Sequence, residues 1–554
     1  LYLIYFQPKR MMMMAKSKSK FLIPTVGATT VVAGSIATYV YLNSFTSNIP
    51  LDSAKLIPSN TLMVTYFNTD PQLWSKLGKF GTSQARQIVT QRLQSVNQSI
   101  FENNISYEKD IQPWIGGVTL AVLPSNPNGN LSLSAPNLLV VGIKDKFGAL
   151  NFANKLRQQK TLKTEESNYK GEKIISSNNK SKSSYLCLLN NTYILLSDHK
   201  ETVEKAIDTF KGQPSFANGE SSKSVLAQTV DLQNSLGQIY VPDYSRMIKE
   251  LSASSPNGGQ LQPQVLEQIK RVKSLVAKVG IDDWGIRFKA VVNLDPQLNK
   301  FEYQSSSSKI LELLPGDTIG LVTGKNINRT WLSFVDESKK DPQIWQGIQQ
   351  VKQQFQNNAN IDLNKDIFGW MDGEFAWSAV KSNQGLLANS GFGIAMVFDT
   401  SDRPTAETTL KKLDDLARKQ SLTVAQRNIN NKNITEWGFR GEEFLFTHGW
   451  SDQDTVFMAV GGPVGEKLAD NKGQTIDKSN NFKSVISSLG KPNGGYFYLD
   501  MDKTIPIINS ISGQPLPPDA NAILSSIRGF GMTFHNPNKS TTQLEMLLGL
   551  KPSR

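Results

Sequence analysis

A segment that occurs twice in one chain constrains the fold more than any single motif, because both copies must build the same local structure. DIQPWIGG at Asp110–Gly117 returns as DIFGWMDG at Asp366–Gly373. Upstream, LIPSNTLMVTYFNT at Leu56–Thr69 pairs with LLPGDTIGLVTGKN at Leu313–Asn326. Downstream, LLVVGIKDKFGALNFANKL answers to GFGIAMVFDTSDRPTAETTLKKL, and NNTYILLSD to DQDTVFMAV. LGQIYVPDY then matches GGYFYLDMD, and the run Val279–Val292 matches Arg528–Pro537. The blocks keep their order and their offset drifts slightly, as insertions in surface loops produce. This predicts two homologous domains, 43–308 and 309–554, joined at the serine run that ends Leu294–Ser308.

Within each half, short apolar runs such as TLMVTYF, GVTLAVL and LLVVGIKD read as strands. FGALNFANKLRQQ reads as an amphipathic helix, as do one or two stretches between Gln72 and Asn103. YLCLLNNTYILLSD is a hairpin pattern turning at Asn190–Asn191. Leu261–Val279 is expected to be helical, with Pro263 tolerated in the first turn. No orderly βαβ series appears. The expected fold class is therefore α+β, with mainly antiparallel sheets carrying helices on one face.

The N-terminus predicts a membrane anchor. Phe21–Leu42 is 22 residues without a charge, long enough as a helix to cross a hydrocarbon core of about 30 Å. Lys9, Arg10, Lys16, Lys18 and Lys20 precede it, and the next charge after it is Asp52. By the positive-inside rule, residues 1–20 form a basic cytoplasmic tail, 21–42 span the membrane, and the bulk is translocated. A cleaved signal peptide and a buried core helix are the alternatives; the uncharged run is long for the former, and no A-x-A pattern follows it. Translation is expected to start near Met11–Met14.

Net charge is +12, but the five N-terminal cations account for part of it. The rest is spread thinly, without the dense Lys/Arg stripe that nucleic-acid binding requires, so no nucleic-acid partner is expected. The single cysteine, Cys187, rules out a disulfide within the chain and reads as a small buried hydrophobe.

The chemistry-bearing residues are sparse. His199, His448 and His535 are the three histidines, and none has a ligand at metal-binding spacing. His199 lies at a helix start where Ser197 or Asp198 is the expected N-cap. GGPVGEKL at Gly461–Leu468 lacks the GxxxxGK[ST] spacing of a phosphate loop. Asp282 and Asp283 are adjacent, so on a strand they would face opposite ways; a loop before a strand is the simpler reading. No GxSxG elbow is present. The repeated Asp-Ile-x-x-Trp unit marks Asp110, Trp114, Asp366 and Trp370 as a shared structural element, with a ligand groove lined by the two tryptophans as the alternative. No catalytic residue, metal or cofactor is expected.

The blocks beginning LIPSNTLMVTYFNT, DIQPWIGGVTLAVLP and LLVVGIKDKFGAL resemble those of the DUF3352 family of uncharacterised, membrane-anchored cyanobacterial proteins. The resemblance covers most of the chain after residues 21–42. It implies a photosynthetic bacterium and a soluble part in the periplasm or the thylakoid lumen, and it carries over no catalytic residue. The expected function is a non-enzymatic scaffold or assembly factor that holds a protein partner at the membrane. A carrier of an apolar ligand, lipid or pigment, between the halves is the second reading, and an extracytoplasmic hydrolase is the third.

Overall fold

The computed structural model describes residues 50–553, apart from 101–106, 126–135, 159–163, 180–181, 254–260, 262, 300–303, 386, 441–443 and 471–472. The expected anchor at 21–42 lies outside the described residues. Among those described, no helix is long and apolar enough to cross a membrane. The chain divides into two compact units, one built around Ile23–Asn299 and the other around Lys300–Pro537. They are called the first and second units below.

The first unit carries β1 (Met63–Phe67), β2 (Ile115–Val122), β3 (Asn137–Ile143), β4 (Thr164–Tyr169), β5 (Glu172–Asn179), β6 (Lys182–Leu189), β7 (Tyr193–Ser197), β8 (Ser235–Val241), β9 (Val272–Asp282) and β10 (Gly285–Leu294). Their order across the sheet is 10-9-8-1-2-3-7-6-5-4, antiparallel throughout. The second unit carries β11 (Thr318–Lys325), β12 (Glu374–Lys381), β13 (Phe392–Asp399), β14 (Thr423–Ile429), β15 (Lys432–Gly438), β16 (Phe444–Trp450), β17 (Thr455–Val460), β18 (Tyr496–Asp500) and β19 (Ile527–Asn538). Here the order is 19-18-11-12-13-17-16-15-14, again antiparallel. Over nine strands the two units have the same topology, and the fold is α+β.

Tight turns set the register of the meanders. Asn190 and Asn191 both take positive φ, 50° and 49°, and join β6 to β7, as the sequence pattern predicts. Lys170 and Gly171 make the corresponding turn between β4 and β5, and Asn430 and Asn431 the one between β14 and β15. Two consecutive positive-φ residues give a hairpin turn whose twist matches that of the strands.

Three expectations are corrected. Leu261–Val279 is not one helix: the helix covers Pro263–Ile269, and from Val272 the chain is strand β9. Pairing on both sides, to β8 and β10, outweighs the local pattern, and its β-branched valines suit a strand. The helix Lys200–Phe210 is entered at His199, and neither Ser197 nor Asp198 caps it. Ser197 instead accepts from the His199 N–H at 3.1 Å, while Asp198 pairs with the His199 ring at 2.6 Å.

The third correction concerns the helices, which lie on both faces of each sheet rather than on one. On β13, Ala395 and Val397 face one way, and Ile394, Met396 and Phe398 the other. A sheet that is apolar on both faces needs cover on both. One face packs Val464, Leu468 and Ala469 of the helix Gly462–Asp470 and Val485 of the helix Asn480–Ile486 against Ala376, Val397 and Phe457. The other packs Ala406 and Leu410 of the helix Arg403–Lys419 against Phe398, Val456 and Trp370. The first unit does the same. Val203, Ala206 and Ile207 cover Leu138, Ile174 and Cys187 on one face, while Phe152 of the helix Lys146–Gln158 packs with Trp114 and Val141 on the other. Each large apolar side chain so buried contributes about 1.5–3 kcal/mol. Cys187 is a small side chain buried among them, and burial pushes its thiol up to about 11.

Candidate functional site

The four residues singled out by the repeat form one device, built twice. In the first unit a single π-helical turn, Tyr107–Ile111, precedes Trp114; in the second, Leu363–Ile367 precedes Trp370. The Trp114 indole N–H donates to the Asp110 carbonyl at 2.6 Å, and Trp370 donates to the Asp366 carbonyl at 2.8 Å. Each aspartate carboxylate meets a lysine of the following long helix: Asp110 with Lys155 at 2.7 Å, Asp366 with Lys412 at 3.0 Å. Both indoles are buried, at 4% and 1% exposure. A buried tryptophan needs a partner for its N–H, and the turn supplies one. The carboxylate then pins the turn to the helix. Burial acts on the Asp366 carboxyl upward, but the Asp362 N–H and the Lys412 ammonium outweigh it and hold the group below the usual carboxylate range. Gly148 allows the helix of the first unit to approach: a Cβ there would lie 2.8 Å from the Trp114 Cβ.

The other residues weighed in the sequence take local roles. Asp282 Oδ1 accepts from the N–H groups of Trp284 and Gly285 and so closes the turn between β9 and β10, while Oδ2 pairs with Arg287. Lys467 of GGPVGEKL pairs with Asp317 at 2.5 Å, and the segment Gly462–Asp470 is helical.

A feature that sequence reasoning missed lies along one cross-strand row of the second unit. Phe497, Val322, Trp377, Met396, Met458, His448, Thr435 and Gln426 are successive partners from β18 to β14. Directly opposed residues of an antiparallel pair point to the same face, so this row is one continuous stripe. It is open near the β18 end, with Trp377 51% exposed and Val322 43%. Toward the other end, Thr435 and His448 are buried.

There the helix Arg403–Lys419 presents Asp414. Its Oδ1 accepts from the Trp437 indole N–H at 2.6 Å and lies 2.8 Å from His448 Nε2. Beside this cluster a cleft of about 350 Å³ is lined by Glu407, Lys411, Asp414, Thr435, His448 and Trp450, among others. A signal for Asp414 was present in the sequence. It interrupts the apolar helical stripe Ala406, Leu410, Ala417 with a carboxylate, but its partners are 23 and 34 residues away on two strands.

The serine run at the start of the second unit has a specific anchor. Buried Glu374 accepts from the Ser306 and Ser307 hydroxyls at 2.7 and 2.9 Å and from the Ser308 N–H at 2.9 Å. Burial alone pushes the Glu374 carboxyl up, but these donors and the Ile310 N–H outweigh it and hold it below the usual range.

Comparison with known proteins adds a family and little else. Residues 25–550 match the family model described as "Protein of unknown function (DUF3352)". No curated protein matches the chain. Among solved structures, crystal form III of TP0453 is similar at 10% identity and a TM-score of 0.25, covering 47% of this chain and 83% of that one. Crystal form I of the same protein gives 10% and 0.24, covering 47% and 88%. A likeness this loose carries no assignment.

Proposed function

The chain belongs to the DUF3352 family, whose function is unknown, and from that premise we propose that it is a non-enzymatic scaffold that holds a protein partner close to a membrane. In this reading residues 1–20 stay in the cytoplasm, 21–42 anchor the chain, and two homologous domains, 43–308 and 309–554, stand in the periplasm or thylakoid lumen of a photosynthetic bacterium. Support for homology comes from the shared strand order and the twice-built Asp–Trp–Lys pin.

The observation that carries the scaffold reading is the open stretch of the stripe near its β18 end. Val322 and Trp377 are direct cross-strand partners, and both stand exposed on a sheet face that the helix Arg403–Lys419 covers farther along. An aromatic beside a β-branched residue on a preformed strand pair offers a rigid anchor for a protein partner. The carrier reading fits less well, because the cleft at the far end of the stripe mixes charged and polar side chains with apolar ones rather than offering a mostly apolar wall.

The test places a photo-crosslinking residue at position 377 of the full-length chain in its native membranes, with position 184 as an exposed control. The expected result is one protein crosslinked stoichiometrically at 377 and not at 184. That product is lost in a Val322→Glu chain whose melting temperature is unchanged. Crosslinking to lipid alone sinks the scaffold reading.

A further inference from the structure

The cleft beside Asp414 asks for a different occupant, and its reading is independent of the scaffold. Its floor is Thr435 and His448, direct partners on β15 and β16, both more than nine-tenths buried. An indole N–H is only a donor, so the Asp414 oxygen that Trp437 reaches is an acceptor. His448 Nε2, on the same oxygen, then carries the proton that it donates. A carboxylate on one ring nitrogen fixes the tautomer, and in the neutral ring Nδ1 is left as an acceptor. The Thr435 hydroxyl makes no hydrogen bond within the protein among the described residues. The floor therefore holds one ring nitrogen, Nδ1, not used by Asp414, and one hydroxyl able to donate and accept.

The rim continues the pattern. Gln426 and Asn433 bring amides, with the Asn433 oxygen already accepting from the Asn428 amide at 2.7 Å and its N–H donors facing no protein partner among the described residues, and Trp450 brings an aromatic wall backed by the Arg403 guanidinium at 4.1 Å from its ring. The charges cancel locally. Glu407 is paired with Arg403, and Arg418 with Asp415, while Lys411 and Asp414 offset each other in the lining. A lining with no net sign does not select an ion. Mixed donors and acceptors beside an aromatic face match a molecule whose every substituent both donates and accepts and whose ring carries C–H faces. The volume lies in the range of small-molecule pockets.

The first unit does not repeat the arrangement. The equivalent row there reads Leu139, Leu196, Leu186, Ile175 and Glu166 from β3 to β4. Leu186 stands where the second unit has His448, and Ile175 where it has Thr435. On the helix, Lys155 and Lys412 are the equivalent pinning residues, and two positions further on stand Arg157 and Asp414 respectively.

We infer that the second unit binds one uncharged, polyhydroxylated ligand of saccharide size in the cleft floored by Thr435 and His448.

Having only three histidines makes the test direct. The full-length chain, ¹⁵N-labelled at histidine and held in mild detergent, is titrated with glucose, N-acetylglucosamine, maltose and sucrose, and separately with inorganic phosphate. The expected result is a saturable shift of the His448 Nδ1 resonance with at least one sugar, at one site per chain by calorimetry, with His199 and His535 unmoved. Thr435→Val is expected to weaken that sugar at least tenfold, and Asn433→Ala, at the exposed rim where folding is not at stake, several-fold. The inference is overturned by the absence of a saturable shift with all four sugars. It is equally overturned by unchanged affinity in both variants, or by phosphate binding more tightly than every sugar.

Discussion

The two units share a strand order and a Trp–Asp–Lys pin, yet one face of their sheets is spent differently. In the first unit the row through β3, β7, β6 and β5 is Leu139, Leu196, Leu186 and Ile175, four aliphatic side chains. In the second unit the same row is Met396, Met458, His448 and Thr435. An aliphatic row is satisfied by packing alone. A buried histidine and threonine are not, and the second unit meets that demand with Asp414 and an adjoining polar cleft. The difference shows that what repeats is the part the backbone needs, and what diverges is the part it does not.

The most forceful way to break the comparison is to remove the pin. Trp370→Ala and Trp114→Ala are each expected to cost about 3–5 kcal/mol, the range for truncating a buried tryptophan. Hydrogen-exchange mass spectrometry is expected to show the loss of protection confined to the unit that carries the substitution. Equal deprotection of both units by either variant would mean that they do not act as separate folding bodies.

The serine anchor of the second unit comes next. Glu374→Ala is expected to cost about 1.5–3 kcal/mol, because the Ser306, Ser307 and Ser308 donors lose a charged acceptor. Since the folded-state carboxyl is held low, its contribution is complete above the ordinary glutamate range and is lost as the pH falls through the lowered value. Denaturant melts of the wild type and Glu374→Gln are therefore expected to converge under acid. A gap that persists there would place the effect in packing rather than charge.

Exchanging the diverged position sharpens the contrast. His448→Leu leaves buried Asp414 with Trp437 as a donor and no imidazole, at an expected cost of about 1–2 kcal/mol. Leu186→His in the first unit places an imidazole where the row is aliphatic, and it is also expected to destabilise, by about 1 kcal/mol. Chemical denaturation checks both signs. A stabilising Leu186→His would show that the first unit already holds a partner for it.

The smallest effect belongs to the outer end of the pin. Lys412→Met and Lys155→Met remove half-exposed ion pairs, for which the expected cost is about 0.2–1 kcal/mol and falls with added salt. Similar small losses in both units, measured in low and high salt, are the expected outcome.

Much of the fold was legible in order and period. The repeated blocks, the hairpin at Asn190–Asn191 and the strand runs announce themselves because turn chemistry and alternation are local. β9 was misread because its valines and leucine suit either state until two neighbouring strands pair with it. Helices on both faces were missed for a related reason: strands such as β13 are apolar on both sides, and only assembly shows what covers each.

The candidate site divides the same way. Asp110, Trp114, Asp366 and Trp370 could be picked out because a repeated motif five residues long encodes its own indole-to-carbonyl bond. The joining of Asp414, Trp437 and His448 could not, since the three come from a helix and two strands whose registers are set by the whole sheet. The chain alone determines its repeated architecture, its turns, its family and the uncharged run at residues 21–42, all of them written in short-range order. The tertiary structure decided which face stays open at Trp377 and which polar groups meet in a cleft, because those depend on contacts between residues far apart in the chain.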